Sequence, residues 1–200
     1  MKQDKRKLIL TAAEQCFAKY GYKKTTMEDI SHIVGLSKAA MYYYFNNKGE
    51  IYITIVTDAY RTLVRELREE IEKDLSCDKK IIKYFQKRLE WLYKQSYILT
   101  QITQDELIAF NNFGGGIVEE IGMEERKILM KVLQKCINDS IFRKFDVEKV
   151  SNYLFILVDG IYNFYQPSTS MEIMTQERNE VIKNDISTAL QLFIRGMKPD

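Results

Sequence analysis

The chain has 200 residues, 46% of them hydrophobic, and a net charge of only +2 at pH 7. This length and composition allow a substantial buried core, which excludes intrinsic disorder as the default. No run approaches the roughly 18 apolar residues of a membrane span, and the first residues lack the pattern of a secretory leader, so we expect a cytoplasmic protein with no membrane partner.

The charge is unevenly distributed along the chain. Residues 1–50 contain 9 basic and 5 acidic side chains, whereas residues 51–200 contain 21 and 23. A small basic unit followed by a slightly acidic body favours a phosphate-rich partner, although a difference of this size also arises by chance.

The pattern of cysteine and histidine argues against catalysis and metal binding. Cys16, Cys77 and Cys136 are odd in number and unrelated in spacing, which predicts buried or incidental thiols. His32 has no cysteine or carboxylate cluster at ligand spacing, so we expect a helix-surface residue rather than a metal ligand. With no catalytic constellation and no dinucleotide fingerprint, we predict neither enzyme activity nor a cofactor.

The apolar spacing is helical nearly throughout and predicts an all-α fold. The first helix carries one apolar stripe, formed by Ile9, Ala12, Ala13, Cys16, Phe17 and Tyr20, and Gly21 supplies a left-handed end. A second, short helix then begins with a capping pair, either Thr25 with Glu28 or Thr26 with Asp29. It ends at Gly35.

A third short helix, from Lys38 to about Phe45, follows with Ser37 as its cap, so the segment forms a helix-turn-helix unit. We expect three apolar side chains to hold the third helix against the first two: Leu36, Met41 and Phe45. Four residues then face outward: Lys38, Ala39, Tyr42 and Tyr43. Any small helical bundle can have short helices and exposed tyrosines, so the spacing alone leaves DNA binding and simple packing both open.

Residues Ile9 to Ile51 resemble the N-terminal domain of the TetR family of bacterial transcriptional regulators. The landmarks that carry the resemblance are Ala12-Ala13, Phe17, Gly21-Tyr22, Thr25-Thr26, Asp29-Ile30, Gly35, Ser37, Tyr42, Phe45 and Lys48. The chain departs from the family pattern with Ala39 where glycine is frequent, Tyr44 where histidine is frequent and Gly49 where glutamate is common. Because of these three differences, the family pattern does not predict which operator sequence the chain binds.

The resemblance implies a DNA-binding domain over residues 1–48, followed by a helical effector-binding and dimerisation domain over residues 49–200. It places the third helix in the major groove of double-stranded operator DNA, with Thr26 and Lys48 on flanking phosphates. The residue types agree with such an interface. The predicted DNA-binding residues are Thr26, Ser37, Lys38, Ala39, Ala40, Tyr42, Tyr43, Tyr44 and Lys48. For Tyr44, a phosphate contact and a packed, hydrogen-bonded hydroxyl remain alternatives.

The rest of the chain predicts further helices. One long helix runs from Gly49 to Leu75, and later blocks cover about 79–94, 97–112, 117–140, 147–166 and 176–196. The last two blocks predict a homodimer formed by a four-helix bundle, because the first of them is apolar over most of its circumference. The matching stripe on the last block comprises Val181, Ile182, Ile186, Ala189, Leu190 and Phe193.

The resemblance also implies a small, largely apolar effector that binds inside the second domain and lowers operator affinity. The candidates for this site are large aromatic and nearby polar side chains, namely Trp91, Tyr97, Gln101, Gln104, Glu106, Phe110, Phe113, Tyr153 and Tyr162. For each aromatic, ordinary core packing is the alternative. For the whole chain, the alternative is a ligand-independent helical DNA-binding or scaffolding protein.

Overall fold

A computed structural model describes residues 2–99, 116–165 and 175–199, and within these ranges the chain is all-α, as predicted. The described helices are α1 (Lys2–Tyr20), α2 (Met27–Val34), α3 (Lys38–Tyr44), α4 (Lys48–Glu72), α5 (Cys77–Leu99), α6 (Ile117–Asn138), α7 (Val147–Phe164) and α8 (Gln176–Met197). Among these residues, no helix is long and apolar enough to cross a membrane.

The observed helix boundaries follow the predicted ones closely except at α5. A break was expected between residues 94 and 97, but α5 continues through Leu99 without interruption. The expectation was wrong because Lys94, Gln95 and Ser96 are polar but not helix-breaking, so the helix continues through them with only Lys94 exposed. The remainder of the block predicted over 97–112 lies outside the described residues.

One compact unit comprises Met1–Thr62 with Gln95–Ile121 and contains the predicted first helix and the two predicted short helices. Its core includes the predicted α1 stripe, with Ile9, Ala13 and Phe17 fully buried, except for Tyr20, which is exposed. The Phe17 ring lies 5.5 Å from the Tyr22 ring and 5.8 Å from the Tyr52 ring, measured between centroids. Aromatic packing therefore fixes the start of α4 against α1. The functional boundary after residue 48 remains a prediction, since compactness reports packing alone.

The second compact unit comprises Leu63–Lys94 with Gly122–Asp200. Three rings meet edge to face in its core, with Phe155 at 5.6 Å from Phe85 and 6.3 Å from Tyr84. Two charged side chains are buried beside these rings and form an ion pair. Arg88 Nε lies 3.0 Å from Glu125 Oε1, and both side chains are largely buried. A buried charge needs such a partner to offset its lost hydration.

The expectation of buried or incidental thiols is wrong for two of the three cysteines. Cys77 and Cys136 form a disulfide, whereas Cys16 is a free, buried thiol as expected. The helical packing brings the first residue of α5 to within 6.0 Å of the end of α6, Cα to Cα, although 59 positions separate them in sequence. Sequence spacing carries no signal for such a long-range pair.

The apolar stripe predicted to form the dimer interface on the last helix is wrong in part. In α8, Ile182, Ile186 and Leu190 are buried inside the chain, so they cannot form a surface for a second copy. Five large apolar side chains remain exposed on α7 and α8: Tyr153, Ile156, Phe164, Val181 and Leu192. The helical repeat explains the division, because positions i, i+4 and i+8 face the chain's own core while their neighbours point outward.

Candidate nucleic-acid interface

The N-terminus of α2 is fixed by Thr26, which selects one of the two predicted capping pairs. Its Oγ1 accepts from the Asp29 backbone N–H at 3.1 Å, and Asp29 Oδ2 accepts from the Thr26 backbone N–H at 2.8 Å. Each group satisfies a donor that the helix leaves without an internal partner. The pair holds Thr26 exposed at the edge of the unit, where its predicted phosphate contact would lie.

The capping pair makes the stability of the chain sensitive to acid. The Thr26 hydroxyl, and secondly its backbone N–H, lower the pKa of Asp29 from its ordinary 3.8. Because the folded pKa lies below the unfolded one, this contribution is complete above pH of about 4 and is lost as the pH falls through the folded pKa. We expect the melting temperature of Asp29→Asn to fall less than that of the wild type on acidification.

A matched control for this prediction is Glu28→Gln, which removes an exposed carboxylate from the same turn without touching the cap. Its melting temperature should follow the pH dependence of the wild type. Identical acid profiles for Asp29→Asn and the wild type would show that the cap contributes nothing.

The turn between α2 and α3 has the predicted geometry. Gly35 ends α2 in the left-handed region, at φ +64°, where glycine lacks the Cβ strain that other residues meet. Ser37 then caps α3, its side chain accepting from the Ala40 backbone N–H at 3.2 Å. The second and third helices are thereby joined by the short turn that a helix-turn-helix unit requires.

The α3 helix has one buried and one exposed face, as expected. Met41 and Phe45 are at most 1% exposed and belong to the core, while Leu36 packs partly against it. Tyr42 is 47% exposed and Tyr43 67%. Lys38 and Ala39 are exposed beside them, and Ala40 is half-buried.

The three consecutive tyrosines therefore have different surroundings. The Tyr44 ring is half-buried against the core and meets the Tyr43 ring edge to face at 5.1 Å. This position favours the packed alternative for Tyr44. Tyr42 and Tyr43 present large aromatic surfaces to the outside, as the sequence predicted.

Lys48, at the first turn of α4, has an environment that the sequence did not indicate. Its ammonium donates to the carbonyl oxygens of Tyr22 at 2.6 Å and Thr25 at 2.8 Å, and lies 4.2 Å from the centre of the Tyr22 ring. These contacts hold the loop before α2 against α4. The predicted phosphate contact of Lys48 remains a prediction, and it requires the ammonium to leave or share these carbonyls.

Arg6 contributes to the same unit and was missed by the sequence analysis. Its guanidinium donates to the Tyr44 carbonyl at 3.0 Å, at the end of α3. The contact spans 38 positions in sequence, so no local pattern could have revealed it.

The predicted effector residues are only partly described. Gln101, Gln104, Glu106, Phe110 and Phe113 lie outside the described residues, as does the side chain of Tyr97. Trp91 and Tyr162 are half-buried, which is compatible with lining an interior site.

The prediction that Tyr153 lies in the interior is wrong. Its side chain is 49% exposed, because the inward face of α7 is formed by Leu154, Phe155 and Val158 instead. Among the described residues, a cavity of about 380 Å³ lies away from the predicted effector residues. It is lined by Asp78, Ile82, Gln191, Ile194, Arg195 and Lys198.

The fold and geometry of α1 to α3 are those of a helix-turn-helix unit, with a buried anchor, a capped turn and an exposed face on the third helix. The profile for "Bacterial regulatory proteins, tetR family" matches residues 9–55. The chain is 27% identical to the uncharacterized HTH-type transcriptional regulator YhgD of Bacillus subtilis, over 70% of this chain and 71% of that protein.

A second relative, the HTH-type transcriptional regulator TtgR of Pseudomonas putida, is 36% identical over 40% of each chain. A crystal structure of a transcriptional regulator from Cytophaga hutchinsonii superposes with a TM-score of 0.81, at 20% identity, covering 96% of this chain and 98% of that one. These matches identify a TetR-family helix-turn-helix domain at residues 9–55, and the solved structure shares the fold of the chain. The relatives it matches are helix-turn-helix transcriptional regulators, which agrees with the expectation that the chain is not an enzyme.

Proposed function

We propose that the chain represses transcription by binding a specific operator through α3 and blocking polymerase. The observation that carries this proposal is the contrast between the two faces of α3. Met41 and Phe45 are held in the core, while Tyr43 is 67% exposed on the opposite face. A rigidly anchored short helix with an aromatic and basic outer face suits insertion into the major groove.

The roles of the individual residues follow from their chemistry. Lys38 can donate to guanine acceptors and Tyr43 can contact a thymine methyl, so both would distinguish sequences. Ala39 and Ala40 allow the helix backbone to approach the bases closely. Thr26, Ser37, Tyr42 and Lys48 would contact phosphates, which fixes the position of the helix without distinguishing sequences.

We expect the two groups of residues to respond differently to substitution. Lys48→Ala should weaken binding to every duplex and reduce the salt slope of binding by about one. Tyr43→Ala or Lys38→Ala should instead lower affinity for the preferred duplex by about 1 to 3 kcal/mol and change the preference among sequences. Filter binding to a duplex selected from a random library, and to a shuffled duplex, over a salt series measures both quantities.

The structure offers a second explanation for weaker DNA binding by Lys48→Ala. A loss of affinity with an unchanged salt slope would assign Lys48 to the carbonyls of Tyr22 and Thr25 rather than to phosphate. Equal losses on both duplexes for all three variants would contradict the proposed division of roles.

We infer that two copies bind a palindromic operator as a homodimer. Two α3 helices would then enter major grooves roughly 34 to 36 Å apart, or one further turn away. The exposed side chains of Tyr153, Ile156 and Phe164 on α7, with Val181 and Leu192 on α8, support this arrangement. An apolar surface of this kind is typical of a protein interface, and two helices from each copy would form a four-helix bundle.

We further propose that a small, largely apolar effector binds within residues 49–200 and lowers operator affinity. The half-buried rings of Trp91 and Tyr162 support an interior site. The effector would act by favouring dimers in which the two α3 helices are wrongly spaced for DNA. The helix α4, which continues from Lys48 to Glu72, is the covalent connection through which such a change would act.

The effector proposal predicts reciprocal coupling. A ligand found by a thermal-shift screen of apolar compounds should bind the free protein about 5- to 150-fold more tightly than the operator complex. Titration calorimetry with and without the selected duplex measures this ratio. Equal affinity for both forms, for every ligand that stabilises the protein, would leave a DNA-binding dimer without this switch.

A further inference from the structure

Arg6 connects α1 to the end of α3. Its Nη1 donates to the Tyr44 carbonyl at 3.0 Å, and its Cζ lies 4.1 Å from the centre of the Phe45 ring. The last carbonyls of a helix have no partner within the helix, so Arg6 satisfies a group that α3 cannot satisfy itself. Arg6 also lies outside residues 9–55, the segment that the family profile matches.

The same guanidinium also faces the beginning of α4. Its Nη2 lies 3.8 Å from Glu50 Oε1. The other oxygen of that carboxylate accepts from the Asn46 backbone N–H at 2.7 Å and from its side-chain amide at 3.0 Å. One planar group thus joins α1, the last residue of α3 and the turn that follows it.

We propose that Arg6 is a positioning residue for DNA recognition, which fixes the end of α3 from the protein side without contacting DNA. The proposal rests on the proposed DNA contacts of α3. That helix has only seven residues, so its orientation depends on its buried Met41 and on what holds its two ends. Ser37 caps the first end, and Arg6 holds the second, immediately after Tyr42 and Tyr43.

The planar fork of arginine, rather than its charge, is the property that this role requires. Arg6→Lys keeps the charge but cannot donate to the carbonyl, stack on the ring and face Glu50 at once. We expect its affinity for the library-selected duplex to fall about five- to tenfold, with unchanged affinity and salt slope on the shuffled duplex. Glu50→Gln, which weakens the same junction from α4, should change the ratio of the two affinities in the same direction.

Lys7→Met is the matched control, because Lys7 is an exposed neighbour on the same helix. It removes a positive charge without touching α3, so it should leave the ratio of selected to shuffled affinity unchanged. Amide NMR spectra of the full chain provide a second readout. Arg6→Lys should shift the resonances of residues 41–46, and Lys7→Met should not.

Three results would overturn the inference, each in a distinct way. Unchanged discrimination by Arg6→Lys would show that the fork is not needed. A lower salt slope for Arg6→Met on both duplexes, by about one, would make Arg6 a phosphate contact. If the wild type selects no duplex from the library, the proposed function fails, and this inference fails with it.

Discussion

Loss of the Cys77–Cys136 disulfide is expected to lower the free energy of unfolding by about 4 kcal/mol, or the melting temperature by about 10 °C. The bridge joins residues 59 positions apart, so it removes much of the chain entropy of the unfolded state. Both sulfur-bearing residues are nearly inaccessible in the folded chain. The expected effect is therefore on unfolding rather than on surface reactivity.

Thermal unfolding with and without a phosphine reductant measures this contribution. The reductant should lower the melting temperature of the wild type once the bridge is reduced, and should leave the double variant Cys77→Ala, Cys136→Ala unaffected. Cys16→Ala is the matched control, because it removes a buried thiol that forms no bridge. An equal response to reductant in the double variant and the wild type would contradict the assigned bridge.

Ile156→Glu is expected to dissociate the proposed dimer. Ile156 is 68% exposed in the single chain, so a glutamate there costs the isolated subunit little. In the dimer the carboxylate would be buried without a partner in an apolar interface. We expect a penalty of about 3 kcal/mol or more, which raises the dissociation constant over a hundredfold.

Sedimentation equilibrium at micromolar concentration should show a dimer for the wild type and a monomer for Ile156→Glu. Leu192→Glu, on α8, should behave in the same way. Met123→Glu introduces the same charge at a half-exposed apolar position of α6 and should remain dimeric. A monomeric wild type would refute the dimer, and a dimeric Ile156→Glu would place the interface elsewhere.

The helix-turn-helix unit could be predicted almost completely because its signals are local. A capping pair, a left-handed glycine and an apolar spacing of three and four residues each act within one or two turns of helix. Thr26, Gly35 and Ser37 accordingly lie where the sequence placed them. Tyr44 was left open, since half-burial depends on which helix covers the ring.

The contacts that the sequence did not reveal all join distant segments. Arg6 with Tyr44, Lys48 with Tyr22 and Cys77 with Cys136 are brought together only by the packing of helices. The prediction that the apolar stripe of α8 forms the dimer interface was wrong in part for a related reason. An apolar helix face indicates burial, but not whether the same chain or a second copy covers it.

We propose above all that the exposed face of α3 recognises a particular DNA sequence. The most direct measurement is the affinity of the full chain for a duplex selected from a random library and for a shuffled duplex of the same composition, at one physiological salt concentration. We expect the selected duplex to bind at least about a thousandfold more tightly, and Tyr43→Ala to lose much of that difference. Equal affinity of the wild type for both duplexes would contradict the claim.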